Sequence, residues 1–86
     1  MSQREWPSWW DWELELSPHL LKRMIDRQFS EVDLRHMLEH AAVLREDVVE
    51  GRWVVESWHR RQPWEVIVEP DFATGVIVVV TAYPVR

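Results

Sequence analysis

A histidine followed by arginines one and two helical turns later suits phosphodiester chemistry, and His19, Arg23 and Arg27 have that spacing. Histidine moves a proton near neutral pH. Arginine holds a phosphate bidentately and stabilises charge that builds in the transition state. At i, i+4 and i+8 the three residues share one strip of a helix. The simpler account is the solvated face of an amphipathic helix, and spacing alone favours it. A second candidate pair is Thr81 and Tyr83, expected on the same strand face as Ile77 and Val79. There they are either polar tips of a core edge or site residues beside a cleft. His36 and His40 stand at i, i+4 and can share a metal. Glu39 is not where an H-E-x-x-H site needs it and no third ligand is evident, so solvated helix residues are the default there.

Arg60 and Arg61 stand among tryptophans, and aromatics beside basic residues can stack bases. Most of the tryptophans, Trp12 among them, fall at core-facing positions and are expected to pack. Trp6, Trp9 and Trp10 differ, because loop tryptophans need a surface to cover. They either cap an open end of the sheet or bind a partner. Gly-rich phosphate loops, serine elbows and cysteine nucleophiles are absent from the sequence.

These residues must be positioned by a chain of 86 residues, enough for one domain and too few for two. A chain this short buries only about 60–65% of its unfolded surface. Its seven tryptophans offset that, since each aromatic ring buries roughly 150–250 Å². No cysteine is present, so disulfides and thiolate metal sites are excluded. No signal-peptide pattern opens the chain and no apolar run approaches ~18 residues, which predicts a cytoplasmic protein without membrane contact. The net charge of −5 counts against a generic nucleic-acid binder. The charge is uneven, however. Residues 1–16 carry Arg4 against Glu5, Asp11, Glu13 and Glu15, whereas residues 19–45 carry five basic side chains against four acidic ones and three histidines besides.

The pattern predicts a Trp-rich arm over residues 1–10 and one domain over 11–86. Strict alternation over residues 11–16, with Trp12, Leu14 and Leu16 inward, predicts a half-buried strand. Ser17-Pro18 starts a helix running to about Gln28, with Leu20, Leu21, Met24 and Ile25 as its apolar side. Ser30 caps a second helix with Asp33 at N3, and Phe29 and Leu34 are placed for a hydrophobic staple. Leu34, Met37, Leu38 and Ala41 form its inward stripe. Residues 45–51 read as a loop. Three strands follow over residues 52–59, 64–69 and 76–83, with turns at 60–63 and 70–75. The last strand, apolar on both faces, is expected inside the sheet. The fold class is therefore α+β: two short helices on one face of a four-stranded, mostly antiparallel sheet, in the order β-α-α-β-β-β.

Ser17-Pro18-His19, Lys22-Arg23-Met24, Arg27, the helix start Ser30-Glu31-Val32 and the closing Val78-Val79-Val80-Thr81-Ala82-Tyr83-Pro84 together resemble a bacterial family of small domains of unknown function. Its members read S-P-H-x-x-x-R-M-x-x-R early and V-V-T at the end, and the resemblance spans roughly residues 12–84. That family is similar in layout to BrnT- and RelE-like ribonuclease toxins, and the resemblance implies, for some members, a small zinc-finger antitoxin encoded alongside. It further implies metal-independent RNA cleavage, in which the 2′-hydroxyl of the RNA attacks the adjacent phosphate. His19 would be the acid/base, Arg23 and Arg27 the phosphate contacts, and Thr81 with Tyr83 the polar contacts at the scissile group. The expected function is a toxin-like endoribonuclease, or an inactive descendant, of a toxin–antitoxin pair. RNA and a small antitoxin are the expected partners, and no cofactor or metal is required. The alternatives are a non-enzymatic interaction module using the Trp-rich arm and the sheet edge, and a small-ligand binder using the same cleft.

Overall fold

The structure, a computed structural model, describes residues 6–85. Two helices lie on one face of a five-stranded sheet. In chain order a short 3-10 turn (Ser8–Asp11) leads into β1 (Glu13–Leu16), α1 (Pro18–Arg27) and α2 (Glu31–Glu39). The strands β2 (Val43–Glu46), β3 (Trp53–His59), β4 (Gln62–Asp71) and β5 (Val76–Pro84) follow. Across the sheet the order is β1-β5-β4-β3-β2, antiparallel except for the parallel β1–β5 pair.

The helix boundaries follow from their caps. The Ser17 hydroxyl accepts the Leu20 N–H at 3.0 Å, Pro18 occupies the first helical position, and Gln28 ends α1 in the left-handed region at φ 56°. At α2 both halves of the capping box are formed. Ser30 Oγ accepts the Asp33 N–H at 3.1 Å and Asp33 Oδ2 accepts the Ser30 N–H at 2.9 Å. Leu20, Phe29, Leu34 and Met37 from the helical layer pack on Val55, Val66, Val68, Ile77, Val79 and Ala82 of the sheet. Ser57 fixes the far end of α2, donating from its buried hydroxyl to the Met37 carbonyl at 2.7 Å.

Five expectations need correction. Residues 43–46 form a fifth strand, which takes Arg45 and Glu46 out of the expected loop: Leu44 pairs with Val55 and turns inward, and one inward residue in four leaves no alternation to read. The first strand begins at Glu13, because Asp11 belongs to the 3-10 turn. The β3–β4 turn is only Arg60-Arg61, so Gln62 and Pro63 already belong to β4. On α1 only Leu20 and Met24 face the core, while Leu21 and Ile25 are exposed, Ile25 at 80%. The fifth correction concerns β5. Ile67 pairs with Thr81 but Val68 pairs with Val79, so Val80 is an extra residue, a β-bulge. Because side chains alternate with period two, one inserted residue exchanges the faces beyond it. Ile77, Val79 and Ala82 are buried against the helices. Thr81 and Tyr83 therefore lie on the opposite face from Ile77 and Val79, beside Ile67 and Glu65.

Candidate functional site

Strand β1 pairs with β5 only as far as Leu16 opposite Val79, so the rest of that edge of β5 must find other donors. Helix α1 supplies them. The Ser17 N–H donates to the Val79 carbonyl at 3.2 Å and its hydroxyl to the Val80 carbonyl at 2.8 Å. Arg27 Nη1 donates to the Ala82 carbonyl at 3.0 Å. With Ser17 and Arg27 bonded to β5 and Leu20 and Met24 turned to the core, Leu21 and Ile25 are left outside.

The helix that carries His19, Arg23 and Arg27 therefore runs beside β5 from Val79 to Ala82, and Arg27 is the member of the strip bonded to the strand. His19 is exposed in the first turn, and Arg27 lies about 12 Å further along the axis at 1.5 Å per residue. Arg23 is half-buried, with Nη1 2.6 Å from Asp26 Oδ2. A guanidinium carries several N–H donors, so Arg27 and Arg23 each keep donors for an anion.

Thr81 and Tyr83 flank Ala82 but project from the other sheet face. The Tyr83 hydroxyl donates to Glu65 Oε1 at 2.7 Å, and Arg45 joins Glu65 Oε2 and Glu56 Oε2 at 3.0 and 2.9 Å. Burial, reinforced by the Glu65 carboxylate, pushes the Tyr83 phenol up to about 12. At neutral pH it is a protonated donor already engaged with Glu65. The structure thus brings Arg27 to the strand that carries Thr81 and Tyr83, with the helical strip along the sheet edge and the two strand residues on the face beyond it.

The same end of the sheet holds residues that sequence reasoning did not combine with the strip. Trp64 pairs with Pro84, and the β3–β4 turn lies just beyond. His59 meets the Trp64 ring edge-on at 5.3 Å, and its Nε2 is buried without a hydrogen-bond partner. The charges of His59 and Arg60 also reach Asp33, whose carboxyl is held below the usual carboxylate range chiefly by the Ser30 N–H. In the sequence His59 has no spacing partner in the α1 strip, and its place between Trp58 and Arg60-Arg61 is the one signal that singles it out.

The other candidates have local explanations. His40 Nδ1 lies 3.0 Å from the His36 carbonyl oxygen and donates to it in the matching tautomer. Among the described residues no three His, Cys, Asp or Glu side chains gather in a way that could hold a metal ion. Trp9 is buried and tilts against Trp53 at 5.6 Å, Trp6 stacks on Trp10 at 4.8 Å, and Trp12 meets Phe72 edge-on at 5.3 Å. These tryptophans cover the sheet end opposite the β3–β4 turn. Trp10 and Trp12 also line a cleft of about 240 Å³ with Arg35, Leu38 and Glu39, remote from the α1 strip. No helix among the described residues is long and apolar enough to cross a membrane.

A family model described as a domain of unknown function (DUF4258) matches residues 16–84, which include α1, α2 and β2 to β5. No curated protein and no solved structure matches the chain.

Proposed function

We propose that this chain, which belongs to the DUF4258 family, is a toxin-like, metal-independent endoribonuclease held in check by a small antitoxin protein. The observation that supports this reading is the Arg27–Ala82 bond, which joins the helix bearing His19 and Arg23 to the strand bearing Thr81. In the proposed reaction neutral His19 accepts the proton of a ribose 2′-hydroxyl. The 2′-oxygen then attacks the adjacent phosphorus, the bond from phosphorus to the 5′-oxygen breaks, and the leaving oxygen takes a proton from the imidazolium. The products are a 2′,3′-cyclic phosphate and a 5′-hydroxyl. Arg23 stabilises the charge that builds on the phosphate, and Arg27, a turn further on, holds the neighbouring one. Thr81 on the far side of the edge contacts the substrate as it passes over β5. Tyr83, bound to Glu65, orients that edge rather than moving a proton.

The test combines growth with chemistry. Expression of the chain in bacteria is expected to slow growth, and His19→Ala and Arg23→Ala are each expected to relieve it while the thermal transition stays in place. With purified protein, cleavage should persist in EDTA, yield a cyclic phosphate, and fall about 10²–10⁴-fold in His19→Ala, the usual worth of acid/base help. Variants indistinguishable from wild type, or RNA left intact at every protein concentration, would remove His19 from the assignment. In that event the interaction reading would rest on the exposed edge strand β2, because Trp9 is buried and Trp10 and Trp12 pack against the core.

A further inference from the structure

The β3–β4 turn is made of two arginines in a conformation that disfavours them. Arg60 and Arg61 have φ of 53° and 65°, and His59 pairs directly with Gln62 across them. Two consecutive positive φ values mark the type I′ hairpin turn, for which Asn-Gly is the preferred pair. Non-glycine residues adopt this region in only a few per cent of cases, and a backbone outlier of this kind invites a functional explanation. Trp58, one residue before His59, is 59% exposed on the sheet face away from the helices. Among the described residues Arg23, Arg35, Arg45 and Arg52 are held in ion pairs, whereas Arg60 and Arg61 form none. The groove beside Trp58 contains Glu56 and Glu65, and both carboxylates are bound to Arg45.

We infer that Trp58, Arg60 and Arg61 form a contact surface for single-stranded RNA, with a base stacked on the indole and the phosphates on either side held by the two guanidinium groups. Stacking on aromatic rings and cationic tracking of the backbone are the two components of sequence-tolerant single-strand binding. Ala82 stands opposite Val66, five residues along β4 from Arg61, so the turn lies roughly 17 Å along the strands and about 10 Å across from the point where Arg27 meets β5. One extended strand can therefore cover both places. The inference deepens the ribonuclease reading and rests on it for the class of substrate.

The experiment uses the full chain and a short, fluorescein-labelled, single-stranded 2′-O-methyl oligoribonucleotide, with binding followed by anisotropy over a range of salt. The probe has no free 2′-hydroxyl, so binding is read whether or not the chain cleaves RNA. Wild type should bind with an affinity that falls as salt rises. Arg60→Asn combined with Arg61→Gly restores the residues the turn prefers, so the thermal midpoint should stay constant or rise. The same double variant should flatten the slope of log affinity against log salt by about 1.4, the release expected for two single-strand phosphate contacts. Trp58→Leu keeps an apolar side chain without the ring and should weaken binding by about 5- to 150-fold, the range measured for one stacked base. Wild-type affinity and slope in the turn variant would overturn the inference even if RNA is cleaved. Tighter binding to poly-glutamate than to the oligonucleotide would overturn it too, reassigning the surface to an acidic protein partner. Salt-dependent binding by a wild-type chain that leaves unmodified RNA intact, weakened in both variants as stated, would support the contact surface and count against the catalytic assignment alone.

Discussion

At the scale of single residues, Tyr83 gives the clearest physical signature. It is the only tyrosine in the chain, so its ionisation can be followed by ultraviolet absorbance in alkali, where tryptophan does not titrate. The midpoint should lie near about 12 in the folded protein against 10.0 for an ordinary phenol. Because the folded value is raised, the stabilisation from neutral Tyr83 is complete below pH 10 and is lost as pH rises through about 12. Tyr83→Phe should abolish that alkaline fall in stability, and a midpoint near 10 in wild type would contradict the burial of the phenol and its hydrogen bond to Glu65. Tyr83 was legible in the sequence as a polar tip on an apolar strand. Its partner was not, because Glu65 is 18 residues away and reaches it only through the register of β4 on β5.

At the scale of elements, local signals and long-range ones separate cleanly. The start of α2 is written in adjacent residues, and Ser30→Ala should cost about 0.5–2 kcal/mol by leaving the Asp33 N–H without its acceptor. Thermal or urea denaturation measures this, and an unchanged midpoint would place the helix start elsewhere. The rotation of α1 has a different origin. Its apolar residues leave two settings open, one turning Leu21 and Ile25 inward and one turning Leu20 and Met24 inward with Arg27 beside β5. The unpaired carbonyls of Val80 and Ala82 select the second. The bulge at Val80 is equally invisible beforehand, since Val78, Val79 and Val80 are identical side chains and any of them can be the extra residue. It decides that Thr81 and Tyr83 leave the helical side of the sheet.

At the scale of the whole molecule, one core carries the stability of a thin domain. Ile77 is 3% exposed in an interior strand, beneath the helices and opposite Leu14 and Pro70. Ile77→Ala should lose about 2–5 kcal/mol through lost transfer energy and the cavity left behind. The measurement is the urea midpoint at constant slope, and a loss below about 1 kcal/mol would mean that β5 is not an interior strand. Against total stabilities of about 5–15 kcal/mol that loss is large. The two ends of the sheet have different characters. One is closed by Trp9, Trp10 and Trp12, and the other presents Arg27, His59, Arg60 and Arg61. The net charge of −5 conceals this arrangement, because the carboxylates of Glu56, Glu65 and Glu69 on the open sheet face are paired to Arg45 and Arg52.

The amino-acid sequence by itself determined the α+β class, both helix starts, the interior place of β5 and the helical strip of His19, Arg23 and Arg27. Each depends on neighbours within a turn or a strand: a cap, a proline, a period of two or about 3.6. Only the tertiary structure decided that β1 runs parallel to β5, that residues 43–46 complete the sheet, and that a bulge turns Thr81 and Tyr83 outward. It also decided how far the arginine turn stands from the α1 strip. These features depend on which backbone groups would otherwise lack partners once the chain is closed, and that demand arises between residues far apart in sequence.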